Sequence, residues 1–66
     1  MTSDAEKRRR LLDALERYNQ ALASNEAKPL VTVDDVDGMP LHDLAVIVEA
    51  TSHHLADIVQ TLRWLS

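Results

Sequence analysis

Sixty-six residues and 7.4 kDa allow one domain, expected over residues 1–66, and a compact chain of that mass buries only ~60% of its unfolded surface. Domains this small need disulfides, a metal or a partner subunit, and with no cysteine the first is excluded together with thiolate zinc sites, so a partner subunit is expected. A hydrophobic content of 45% argues against disorder, no apolar run approaches the roughly eighteen residues of a membrane span, and a net charge of −4 offers phosphate no global attraction.

The first element begins at Ser3, with Glu6 three residues later. This is a capping-box pattern in which each side chain satisfies a backbone N–H left free by the first helical turn. Leu11, Leu15, Tyr18 and Leu22, with Leu12 beside them, form one apolar stripe at helical period. Asn25 suits the left-handed end of a helix and Pro29 prevents a restart, so helix 1 is expected at about residues 4–24. The basic run Lys7, Arg8, Arg9 and Arg10 is the candidate phosphate-binding cluster. Its spacing favours ion pairs along one solvated face, because Asp4 and Arg8, Glu6 and Arg10, Arg9 and Asp13, and Asp13 and Arg17 are all four apart.

Leu30 to Met39 is ambiguous. Leu30-Val31-Thr32-Val33 has β-branched strand character, whereas Thr32 followed by Asp35 is another cap pattern that fits a helical turn at 33–36 closed by Gly38. A strand here would pair with its twin across a two-fold axis. Val36 and Met39 either plug the end of the core or belong to an exposed patch.

Pro40 opens the second element, expected at about residues 40–65. Leu41, Leu44, Val48, Thr51, Leu55, Ile58, Leu62 and Leu65 alternate by threes and fours without a break, the seam of a coiled coil. With helix 1 roughly 31 Å long and helix 2 roughly 38 Å, the expected fold is all-α, an antiparallel helical hairpin. Ala45, Val46 and Ile47 widen the apolar face of helix 2 beyond what helix 1 covers. A homodimer forming a four-helix bundle is therefore expected, with Leu44, Val48, Thr51, Leu55, Ile58, Leu62 and Leu65 at its interface. The small residues Ala50, Thr51 and Ser52 suit a close helix crossing; the alternative for Thr51 is a hydroxyl bonded to the carbonyl one turn back.

Chemistry-bearing groups are sparse. Glu49, His53 and Asp57 line one helical stripe but match neither the metalloprotease nor the di-iron spacing, so no metal and no cofactor is expected. Ser52, His53 and Asp57 sit too close together on one helix to act as a triad, so no catalytic residue is assigned. Trp64 lies off the seam, and either caps the core against Tyr18 or the loop, or anchors a partner. From Lys28 onward two basic groups face six acidic ones, and Asp34, Asp35 and Asp37 form an acidic patch suited to a basic protein surface. The expected function is a small non-catalytic protein-interaction module, a regulator or inhibitor of a larger protein. The alternatives are a nucleic-acid-associated regulator using Lys7 to Arg10, and a structural or assembly protein of a phage or complex. The N-terminus has no signal-like apolar stretch, which leads to an expected cytoplasmic location, and residue usage suggests a high-GC bacterium or its phage.

Overall fold

The computed structural model describes residues 3–66, so the first two residues of the expected domain lie outside the described residues. Two helices, α1 (Asp4–Ser24) and α2 (Leu41–Leu65), pack against each other, and a single 3-10 turn (Asp34–Val36) interrupts the segment between them. No strand occurs among the described residues, which settles the ambiguous middle in favour of the helical turn.

Each boundary has a local cause. Ser3 is extended and its Oγ accepts the Glu6 N–H at 3.2 Å, half of the expected capping box. The Glu6 carboxylate instead lies 3.5 Å from Arg10. At the other end of α1 the Ala27 N–H donates to the Leu22 carbonyl at 2.8 Å and the Glu26 N–H to that of Ala23 at 3.0 Å, a Schellman closure. The left-handed residue is Glu26 (φ 59°) rather than Asn25, whose side-chain amide donates to the Ala21 carbonyl at 2.7 Å. Asn25 thus stops the helix by capping a carbonyl, and Glu26 bears the ~1–2 kcal/mol cost of the left-handed conformation.

Residues 27–40 then form a strap that runs back along α1. Two side chains of α1 pin it: Asn19 Nδ2 donates to the Val31 carbonyl at 2.9 Å, and Arg8 Nη1 donates to the Met39 carbonyl at 2.6 Å. Between these pins a complete capping box closes the 3-10 turn, with the Thr32 N–H on Asp35 Oδ2 at 2.9 Å and the Asp35 N–H on Thr32 Oγ1 at 3.3 Å. Gly38 supplies the positive φ (82°) at the exit of the turn, and Val36 is buried beneath it.

The strap determines the sense of the helices and corrects the antiparallel expectation. Because it returns the chain to Arg8, α2 starts beside the N-terminal part of α1 and runs in the same direction. Lys7, Arg10 and Leu11 accordingly share a groove with Leu41, His42 and Ala45, while Pro29 and Leu30 lie against Ile58 and Leu62 at the other end. Helix lengths alone suit either sense. What decides is that residues 25–40 can reach up to ~50 Å, more than the length of α1, and that Val31, Val33, Val36 and Met39 give the returning chain an apolar side to bury.

The core is Leu15, Val36, Leu44 and Val48, with Leu11, Leu12, Tyr18, Met39 and Ile47 packed around it and Leu22 buried farther along α1. Val36 and Met39 therefore belong to the core. The coiled-coil seam of α2 is real, but its first half is spent within the chain. Leu44, Val48 and Thr51 are buried without any second copy, Leu55 and Ile58 are half-buried, and only Leu62 and Leu65 are exposed. The expected dimer interface is corrected accordingly, since Leu44, Val48 and Thr51 are not available to another subunit. Thr51 follows its other reading: Oγ1 donates to the Ile47 carbonyl at 3.0 Å.

Candidate interaction surfaces

The far end of α2 extends past the closure of α1 and carries the largest exposed apolar side chains. Leu62 is 41% exposed, Leu65 79% and Trp64 83%. Trp64 does not cap the core of its own chain: Tyr18 packs into the core cluster instead, and the shallow depressions that Trp64 borders are lined by α2 residues such as Asp57, Gln60 and Arg63.

Asp34, Asp35 and Asp37 are all exposed on the strap, as is Asp43 at the start of α2. The structure does not bring this acidic patch together with Trp64. Val36 packs with Val48, and Trp64 lies sixteen residues farther along α2, ~24 Å at 1.5 Å per residue. They are two surfaces. The surroundings of Asp35 set its acidity: the Thr32 backbone N–H, and after it the Thr32 side chain, hold its carboxyl below the ordinary carboxylate range. A depressed folded-state pKa means that the cap's contribution is present above the unfolded value and is lost as pH falls through the folded one. Replacing Thr32 with alanine removes the side-chain part and keeps the backbone N–H, so the Asp35 carboxyl titration, followed by NMR, is expected to move only part of the way up toward the ordinary range. An unchanged midpoint would show that the Thr32 hydroxyl contributes nothing to it.

The basic run is divided. Arg8 is engaged with the Met39 carbonyl rather than with Asp4, and Arg10 lies 3.5 Å from Glu6, while Lys7 and Arg9 are exposed. Of the expected four-apart ion pairs, Glu6 with Arg10 is the one formed among the described residues. His53 approaches Glu49 at 3.7 Å with both side chains about three-quarters exposed. No group of three or more His, Asp or Glu side chains converges as a metal site among the described residues.

The sequence reading foresaw neither Asn19's contact with the strap nor that Arg8 would reach the Met39 carbonyl instead of Asp4. Asn19 interrupts the apolar side of α1 between Leu15 and Leu22, and that interruption is the legible signal: a polar amide at a core-facing register needs a backbone partner. No protein-family model, curated protein or solved structure matches this chain.

Proposed function

We propose that this chain is a small, non-catalytic protein-interaction module, homodimeric, that acts as a regulator or inhibitor of a larger protein through surface complementarity. The observation that carries the reading is the projecting end of α2, where Leu62, Trp64 and Leu65 stand exposed on a rigid helix. Tryptophan at such a site supplies a large apolar anchor at little entropic cost. The acidic strap around Asp34 and Asp37 offers a separate contact for a basic partner surface, which favours correct encounter more than raw affinity.

Light scattering on a sizing column over a concentration series tests the homodimer. The expected mass is twice 7.4 kDa; a single-chain mass throughout would reject self-association. Trp64 is the sole tryptophan, so its emission reports the anchor directly. In the dimer it is expected to stay red-shifted and open to acrylamide quenching, ready for a partner. A shielded tryptophan would place the anchor inside the self-contact and remove it from the partner surface.

A further inference from the structure

Two helices lying side by side leave two flanks, and the strap fills only one. It lays Val31, Val33, Val36 and Met39 against the core, held there by Arg8 and Asn19. The opposite flank has no covering segment among the described residues. On α1 it carries Leu11 and Tyr18, and on α2 it carries Leu41, Ala45, Ala56 and Val59, which at 100° per residue fall within about 60° of one another. Leu11, Tyr18, Leu41 and Val59 are half-buried, and Ala45 and Ala56 are exposed. Leu11, Leu41 and Ala45 share one open groove on this side.

We propose that a second copy of this chain covers this strap-free flank, so that two helix pairs stack face to face as a four-helix bundle. The inference rests on the self-association proposed above and says which surface performs it. The area argues for a second copy. The chain exposes 5059 Å², roughly 850 Å² more than the ~4,200 Å² typical of a compact monomer of its mass. That excess belongs to the whole elongated chain, and it leaves room for the ~800 Å² that each partner buries in an interface of standard size. The shape agrees: the molecule measures 44 × 23 × 16 Å, and its radius of gyration of 12.9 Å exceeds the ~10.8 Å of a compact 66-residue domain. At 16 Å in its thinnest direction the molecule is a thin slab of two helices with a strap on one flank, and a further packed layer is the usual way to bury the open flank. The small side chains at Ala45 and Ala56 let the facing helices come close.

The test uses positions where the single chain tolerates change. Ala45→Glu and Ala56→Glu place a good helix former at exposed sites, so each variant is expected to keep the far-ultraviolet circular dichroism of the parent. Both are expected to shift the mass from twice 7.4 kDa to that of one chain, raising the dimer dissociation constant at least ~100-fold through the buried carboxylates. Val46→Glu, on the back of α2, is expected to leave the dimer intact. A parent protein that is monomeric overturns this inference and the homodimer together. A dimer that survives both alanine substitutions, or that Val46→Glu dissociates, overturns the assignment to this flank and leaves self-association standing.

Discussion

Leu15→Ala is expected to lower the melting temperature by roughly 15–25 °C, whereas Leu65→Ala is expected to move it by no more than a degree or two. Both residues occupy apolar positions in a helical repeat, and only their burial separates them: Leu15 is fully enclosed and Leu65 is 79% exposed. Deleting a fully buried leucine side chain removes its transfer energy and leaves a cavity, a loss of ~3–4 kcal/mol. A domain of this length has a total stability of only about 3–10 kcal/mol, and each kcal/mol corresponds to about 4–8 °C. The cavity would sit against Val36, Leu44 and Val48, which come from the strap and from α2, so all three segments lose contact at once. Thermal melts followed by circular dichroism check the pair. Equal shifts for the two variants would contradict the assignment of Leu15 to a shared core.

Legibility in the sequence tracked the range of the interaction. Elements set by neighbours a few residues apart were read closely: Ser3 begins α1, Thr32 and Asp35 close a helical turn, Gly38 takes the positive φ, and α2 starts one residue after the expected boundary. The heptad seam was also legible as a buried stripe, but a stripe does not name the surface that buries it. Leu44, Val48 and Thr51 would show the same spacing against a second subunit as against α1. The relative sense of the helices depends on contacts spanning many residues, Asn19 with Val31 and Arg8 with Met39. A charged run such as Lys7 to Arg10 hides such a contact, because an arginine that reaches a distant carbonyl looks in sequence like one that pairs four residues away. Of the candidate site, the exposure of the acidic strap was readable from its composition. The ~24 Å separating it from Trp64 was not, since it follows from the direction of the strap.

Val36→Asp is expected to unfold the protein at neutral pH and to allow partial refolding in acid. Val36 is 1% exposed among Leu15, Leu44 and Val48, and a carboxylate there would lose its hydration without gaining a partner in the cluster. The cost, at least ~4 kcal/mol, rivals the whole stability of a domain this size. Burial in apolar surroundings raises the folded-state pKa of the introduced carboxyl above its unfolded value. The penalty is therefore smallest below the ordinary carboxylate range, grows as pH rises through it, and is complete above the raised folded value. Val36→Asn separates charge from polarity: it is expected to destabilise without the recovery in acid, and circular dichroism against pH compares the two. The comparison also weighs the strap itself. If residues 27–40 were only a tether, a charge on Val36 would detach them and leave the helix pair to melt as before. Because Val36 shares its cluster with one leucine from each helix, the strap is the third wall of the core, and its loss takes the fold with it.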